Sequence, residues 1–333
     1  MAFMSRSLYA PITPYHREWL AVDSIHQLYI EQSGNPEGIA VIYLHDGPGM
    51  GSCDEARRFF DPEVYRIIVI DQRGCGRSIP APCLIDNTTD FLLADLDKIR
   101  QHLGVCKWVL FGSNWGATLA LLYTIKYKAC VAGLILNGVF LATKEELNWR
   151  YGKEGLAKLF ADYFDELVKG AKQNEGVGSH DTVINIYQQC FSGQNELAVL
   201  LACKAWYCWH RRIETLETLT HEECHAITAQ QTHQALCFAQ VANHYFAKHC
   251  FLPEDYITEN IEECSAIPAT IIQGRYDLIC RLSSAEKFMP LWSRARLQIV
   301  PKTGHCMLEA EKINAICHAT DAMASFLNQA DLI

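Results

Sequence analysis

The chain has 333 residues, half of them hydrophobic and a fifth charged, which is enough for one large α/β core carrying an insertion. A formal net charge of −9 without a basic cluster argues against nucleic acid or an anionic membrane as a partner. Residues 1–15 lack a basic start followed by an apolar run, and no stretch is apolar for long enough to span a bilayer. The odd count of fifteen cysteines favours reduced thiols, so we expect a cytoplasmic protein without a signal peptide.

Short apolar runs alternate with helical patterns along the first 140 residues and again at the end. The first two runs predict antiparallel strands separated by a turn at Asp23-Ser24. The later runs, such as 40–44, are continuously apolar, which is typical of strands buried on both faces of a parallel sheet. The predicted strands cover 19–22, 29–32, 40–44, 66–70, 108–111, 131–139, 269–273 and 297–300, and the predicted helices cover 90–103, 117–127 and 309–327.

The sequence pattern changes after Thr143: the next 120 or so residues are predicted to be mostly helical and are rich in Trp, His and Cys. Strand and helix patterns then return. This order predicts an α/β fold with a doubly wound, mostly parallel sheet and a helical cap. We expect residues 1–142 and 263–333 to form the core and residues 143–262 to form the cap.

A glycine-framed turn follows the strand at 108–111. Its sequence, Gly112-Ser-Asn-Trp-Gly116, leads into the apolar helix at 117–127. The pattern resembles the nucleophile elbow of α/β-hydrolases, G-x-S-x-G, in which small residues flank a tight strand-to-helix turn. The two glycines fix the register, so Asn114 occupies the nucleophile position. Ser113 lies one residue early and is expected to point elsewhere.

The other two members of such a triad follow in the order acid, then histidine, on loops after late strands. Asp277 follows the strand at 269–273, and His305 follows the strand at 297–300. We therefore predict that Asp277 orients the imidazole and that His305 is the base.

Further motifs resemble those of proline iminopeptidases over nearly the whole chain. They are Leu8-Tyr-Ala-Pro11, Glu31-Gln-Ser-Gly-Asn-Pro36, His45-Asp-Gly-Pro-Gly49, Phe60-Asp-Pro62, Asp71-Gln-Arg-Gly-Cys-Gly-Arg-Ser78, Asn87-Thr-Thr89, Ala205-Trp206, Asn243-His-Tyr-Phe246 and Gly274-Arg-Tyr-Asp277. The resemblance implies an α/β-hydrolase fold and a Ser-His-Asp triad. The reaction it implies is release of N-terminal proline from peptides, without a cofactor.

This chain departs from the family pattern at the residues that carry the chemistry. Asn114 replaces the serine of G-G-S-W-G, and Asp46 replaces a glycine of the oxyanion-hole motif H-G-G-P-G. The resemblance places Gly47 and Trp115 in the same hole. A carboxylate there would repel developing negative charge unless it turned away or were neutralised.

The family's two cap glutamates are also replaced. His210 stands in the W-E-G motif after Trp209, and Ala242 stands in E-N-H-Y-F. Those glutamates resemble the site that holds the substrate's free amino group. Trp206 is a further residue expected on the cap side of the pocket, although a tryptophan in a helical cap is more often packed in its interior.

The leading hypothesis is therefore a member of this family whose peptidase activity is severely weakened or lost, with a peptide or small-molecule ligand in the cap pocket. It would then act as a binding or regulatory protein. The alternative is an active hydrolase. Deamidation of Asn114 would give the aspartate nucleophile that precedes Trp-Gly in epoxide hydrolases and haloalkane dehalogenases. The sequence leaves the oligomeric state open.

A third hypothesis concerns metal binding in the cap. The segment from His221 to His225 matches H-E-x-x-H, which on a helix places two histidines one turn apart for zinc. The segment lies where the resembled family has no metal, and thirteen histidines are enough for the match to arise by chance. We therefore expect no metal.

Overall fold

The structure is a computed structural model that describes residues 6–171 and 182–330. The prediction that there is no signal peptide concerned residues 1–15, of which residues 1–5 lie outside these ranges. An eight-stranded sheet has the order β1-β2-β4-β3-β5-β6-β7-β8; β2 runs antiparallel to both of its neighbours, β1 and β4, and every other pair of neighbouring strands is parallel. The strands are β1 His16–Ala21, β2 Gln27–Gly34, β3 Ile39–Leu44, β4 Tyr65–Ile70, β5 Trp108–Asn114, β6 Val131–Val139, β7 Ala269–Gly274 and β8 Ala295–Val300.

Helices cover both faces of the sheet, and a second group of helices lies in the chain between β6 and β7. The core helices are α1 Thr89–His102, α2 Trp115–Tyr127, α10 Leu282–Phe288 and α11 Ala310–Ala330. The helices between β6 and β7, together with their connections, are called the cap below; they are α3 Lys144–Tyr151, α4 Ala161–Ala171, α5 Val183–Phe191, α6 Glu196–Ile213, α7 His221–Gln230, α8 Thr232–Phe246 and α9 Tyr256–Asn260. Apolar side chains of β3 to β6 alternate between two clusters, one shared with α2 and the cap and one shared with α11.

The predicted fold class is confirmed, with every predicted strand and core helix present. Predicted boundaries differ by a few residues at most; β1, for example, begins at His16 rather than at Trp19. The division into a core and a cap at residues 143 and 262 stays a prediction. In the described part of the chain, no helix is both long and apolar enough to cross a membrane.

The parallel strands end at one edge of the sheet, and the predicted site residues lie there. Asn114 ends β5, His45 follows β3, and Asp277 and His305 follow β7 and β8. Ligands of open α/β sheets bind outside these carboxyl ends. The topology therefore gathers residues from four distant parts of the chain around one place.

Candidate active site

The turn between β5 and α2 has the backbone of a nucleophile elbow. Asn114 has φ 47° and ψ −106°, a conformation that L-residues rarely adopt. A Cβ on Gly112 would lie 2.3 Å from the carbonyl of Gly116, and one on Gly116 would lie 2.0 Å from the Leu44 carbonyl oxygen. Both glycines are therefore required by close backbone approach, and they set the register that puts Asn114 at the tip.

The loop after β3 is held rigidly beside this turn. The Gln72 N–H donates to Nε2 of His45 at 3.0 Å, so Nδ1 of His45 carries the proton and donates to the Asp46 carbonyl at 2.7 Å. The side chain of Gln72 in turn accepts from Nε1 of Trp115, the first residue of α2, at 3.0 Å. This network ties the predicted oxyanion-hole loop to the elbow helix.

Asp277 and His305 form the predicted acid and imidazole pair. Oδ2 of Asp277 lies 2.9 Å from Nδ1 of His305, and both side chains are almost completely buried. Oδ1 of Asp277 accepts from the N–H groups of Ile279 and Cys280, which orients the carboxylate. Burial opposes the charge of His305, but the interactions with Asp277, Cys280 and Asp46 together outweigh it, and the pKa of His305 is raised well above its usual value.

The carboxylate of Asp46 contacts the second imidazole nitrogen of His305. Its Oδ2 lies 3.2 Å from Nε2 of His305, while its Oδ1 accepts from the N–H of Gly47 at 2.5 Å. Burial alone would raise the pKa of Asp46, but the hydrogen bond to His305 and the charge of His305 lower it. The carboxylate of Asp46 thus points into the predicted oxyanion hole, where the imidazolium neutralises its charge. One of its oxygens accepts from the N–H that would stabilise an oxyanion, and the other contacts the predicted base.

The side chain of Asn114 is held by residues that the sequence did not indicate. Its Oδ1 accepts from Nη2 of Arg150 at 2.9 Å and from the thiol of Cys280 at 3.4 Å. Its Nδ2 is buried without a hydrogen-bond partner, and no hydrogen bond joins it to His305 in the described structure. Asn114 therefore does not take the serine's place as a partner of the base.

Arg150 is a buried cation. Its Nε donates to the Ile279 carbonyl at 3.0 Å, and its guanidinium lies 4.1 Å from the ring centroid of Phe140. Of the ion pairs found in residues 6–171 and 182–330, none includes Arg150. Sequence reasoning missed it because an arginine inside a helix carries no motif. Cys280 follows the predicted acid by only three residues, so the sequence could have indicated that it lies near the site.

A cavity of about 270 Å³ lies between this site and the cap; we call it the His305 cavity. It is bordered by Asp46 and His305 on the core side and by Tyr207, Arg211 and Glu214 of the cap. Ser113 also borders it, but its Oγ accepts from Asn137 at 3.0 Å and has no base beside it.

Trp206, His210 and Ala242, predicted to contact substrate, are buried in the cap and do not border the His305 cavity. Trp206 stacks on Tyr151 with ring centroids 4.6 Å apart, so it is part of the cap's interior packing. Burial lowers the pKa of His210 to about 3, which keeps the imidazole neutral. In contrast, Glu214, four residues after His210, does border the cavity.

Glu214 is the cap carboxylate that faces the site. It pairs with Arg211, and its carbonyl accepts from the N–H groups of His305 and Cys306, both at 2.9 Å. Burial raises the pKa of its carboxyl group. Nε2 of His210 lies 3.4 Å from this carboxylate but without hydrogen-bond geometry. Residues four apart on a helix are neighbours, so the i, i+4 spacing of His210 and Glu214 at a helix end could have indicated that the two side chains lie close together.

Two groups of residues carry side chains of the types that ligate metal ions. The rings of His221 and His225 meet edge-on on α7 with centroids 4.3 Å apart, but the two residues belong to no cluster of three potential ligands in the described ranges. Glu223, which stands at a variable position of the motif, forms a capping box with Thr220 at the start of this helix. The cluster that does appear is Asp277, Cys280 and His305.

The residues around that cluster do not suit a cation. Nη2 of Arg150 lies 3.6 Å from the Cys280 sulfur, and Nζ of Lys312 lies 4.0 Å from Oδ2 of Asp277. These positive charges already balance the Asp277 carboxylate.

The sheet order, the elbow and the acid–imidazole pair together define an α/β hydrolase. The profile described as "alpha/beta hydrolase fold" matches residues 39–311. The proline iminopeptidase of Xanthomonas citri is 40% identical over 321 residues, which cover 96% of this chain and 100% of that protein. The proline iminopeptidase of Arabidopsis thaliana is 39% identical over 90% of this chain and 77% of its own length. This chain therefore belongs to the proline iminopeptidase family.

Solved structures agree with the fold. The crystal structure of proline iminopeptidase from Mycobacterium smegmatis superposes with a TM-score of 0.56 at 18% identity, covering 99% of both chains. A haloalkane dehalogenase variant from Bradyrhizobium elkanii superposes with a TM-score of 0.63 at 17% identity, covering 95% of this chain and 98% of that one. At such identities these structures support the architecture alone.

Proposed function

We propose that this protein has lost the family's peptidase activity and keeps the His305 cavity as a site for a peptide or small-molecule ligand. The observation that carries the proposal is the position of the Asp46 carboxylate, 3.2 Å from Nε2 of His305 and 2.5 Å from the Gly47 N–H. A serine mechanism needs both groups free, one to accept the hydroxyl proton and the other to stabilise the oxyanion.

The replaced nucleophile supports the same conclusion. The carboxamide nitrogen of Asn114 is a poor nucleophile because its lone pair is delocalised, and removal of a triad serine costs on the order of a million-fold in turnover. In this chain the carboxamide oxygen is also held by Arg150. Neither part of the side chain is arranged to attack a peptide carbonyl.

The cap lacks the expected anchors for a substrate amine. His210 is buried and neutral, and Ala242 has no polar group. The carboxylates that do border the His305 cavity are Asp46, Glu55 and Glu214. Asp46 and Glu214 are already paired, with His305 and Arg211 respectively, so the site lacks two free carboxylates for an incoming ammonium group.

Fifteen free cysteines are consistent with a reducing compartment, and we propose the cytoplasm as the location.

The test is hydrolysis of a proline arylamide, with the Xanthomonas citri proline iminopeptidase assayed beside it as the positive control. We expect no turnover above background and no labelling by a serine-directed fluorophosphonate. Turnover near that of an ordinary enzyme, on the order of ten per second, would overturn the proposal. Labelling of Ser113 would show that the nucleophile had been misassigned.

A further inference from the structure

We propose that Asp46 is a carboxylate nucleophile toward small epoxides, with His305 as proton donor in the first step and as base in the second. The proposal rests on an arrangement of this chain's own residues: Asp46, His305 and Asp277 form a continuous line of contacts, and the first two of them border the His305 cavity. It goes beyond the loss of peptidase activity and does not depend on it.

The two oxygens of Asp46 have different environments. Oδ2 lies beside the imidazole and Oδ1 accepts from the Gly47 N–H. The side chain is 18% exposed, so Asp46 is reachable from the cavity although it is largely buried. Its lowered pKa keeps it ionised and able to attack.

The first step forms an ester. A carboxylate oxygen of Asp46 attacks a ring carbon of the epoxide, a C–O bond of the ring breaks, and the released alkoxide takes the proton from Nε2 of His305. The products are a hydroxyalkyl ester on Asp46 and a neutral imidazole. The raised pKa of His305 means that this proton is present in the resting protein.

The second step returns the resting state. Neutral His305 removes a proton from water, and the hydroxide attacks the carboxyl carbon of the ester. The negative charge develops on the carboxyl oxygen held by the Gly47 N–H, which then acts as an oxyanion-hole donor for Asp46 itself. Collapse of this intermediate breaks the ester bond, and the departing alkoxide takes the proton from His305 to give the diol. The carboxylic acid left on Asp46 then returns its proton to His305, so that the two side chains again carry opposite charges.

The protonation state selects epoxides over alkyl halides. A halide leaves without needing a proton, so His305 would stay protonated after alkylation of Asp46 and could not act as a base in the hydrolysis. An epoxide needs one proton at the leaving oxygen, and its uptake converts His305 into the base that the second step requires. A cavity of about 270 Å³ suits a small ligand.

The experiment is a single turnover with the protein in excess over styrene oxide, carried out in ¹⁸O-labelled water and followed by peptide mapping. We expect diol formation, with unlabelled oxygen in the first diol and the heavy isotope in the carboxyl group of Asp46. Asp46→Asn should reduce the rate on the order of a thousand-fold or more. Glu37→Gln, a change at an exposed carboxylate outside the site, should leave the rate unchanged.

A second variant traps the intermediate. His305→Gln should slow both steps, because it lacks the proton donor of the first and the base of the second. The ester that still forms, with its alkoxide protonated by water, should persist as an adduct on Asp46. Thermal unfolding of each variant confirms that it is folded. The thiols of Cys53 and Cys306 border the same cavity and also react with epoxides, so the position of the adduct must be mapped.

Several outcomes would overturn the proposal. They are an adduct on cysteine alone, heavy oxygen in the first diol, undiminished turnover by folded Asp46→Asn, and no hydrolysis above the buffer rate by the folded wild-type protein. An adduct on residue 114 would instead assign the chemistry to a deamidated Asn114. None of these results changes the result expected in the proline arylamide test, so either proposal can be overturned without the other.

Discussion

Oδ2 of Asp46 lies 3.2 Å from Nε2 of His305, on the side of the imidazole opposite Asp277. Two carboxylates therefore share one imidazolium, and the pKa of His305 is raised despite its burial. The ion pair of Asp46 with His305 contributes its full stability between the unfolded pKa values of aspartate, about 3.9, and histidine, about 6.5. The contribution is lost as the pH rises through the raised pKa of His305 or falls through the lowered pKa of Asp46.

Asp46→Asn should lower the pKa of His305, since an opposite charge in contact is removed. Titration of the imidazole Cε1–H resonance by NMR measures the effect, with the signal assigned by its loss in His305→Gln. Glu37→Gln is the control and should leave the titration unchanged. An unaltered midpoint in Asp46→Asn would show that the two side chains do not interact in solution.

Asn114→Ser alone should restore little peptidase activity. The new hydroxyl would face a base whose Nε2 is still occupied by Asp46, and an impaired oxyanion hole costs roughly 3 kcal/mol. Adding Asp46→Gly should free the base and the Gly47 N–H. The double variant should exceed the single change by orders of magnitude in proline arylamide hydrolysis. Vigorous cleavage by Asn114→Ser alone would mean that only the nucleophile had been lost.

Arg150 should stabilise a carboxylate at position 114. Asn114→Asp places a negative charge within hydrogen-bond distance of Nη2, and the guanidinium has no carboxylate partner of its own among the described contacts. In a double-mutant cycle with Arg150→Met, the coupling in the free energy of unfolding should be roughly 0.5–3 kcal/mol in favour of the new carboxylate–guanidinium pair. Urea unfolding of the four proteins measures it, and a coupling near zero contradicts the assignment.

The sequence predicted the framework of the site because its determinants are local. Gly112 and Gly116 are required by backbone contacts within one turn, and Asp277 and His305 follow strands with clear apolar runs. Positions at the ends of parallel strands meet in space whatever the side chains are, so strand order alone brought these residues together.

The sequence did not predict which side chains would contact each other across the site. Whether Asp46 turned away or into the oxyanion hole depended on the charge of His305, 259 residues later in the chain. Whether Arg150 reaches Asn114 depends on the direction in which α3 runs relative to the sheet. Trp206 was expected at the pocket as well as in the cap interior, and only the packing of α6 against Tyr151 decides between the two.

His210 should make the protein less stable at mildly acidic pH. Burial lowers its folded pKa to about 3, whereas an unfolded histidine titrates near 6.5. Between these values the unfolded state binds a proton that the folded state does not, so the stability contributed above pH 6.5 is lost as the pH falls toward 3, by up to about 1.4 kcal/mol per pH unit. The folded pKa values of His45 and His244 are also lowered by burial and give slopes of the same sign, so a comparison with a variant is needed. His210→Gln removes one titrating group and should flatten the dependence by that amount between pH 6 and pH 4.5. The free energy of unfolding in urea at several pH values measures the slope, and parallel curves for the two proteins would show that His210 is protonated or solvated in the folded state.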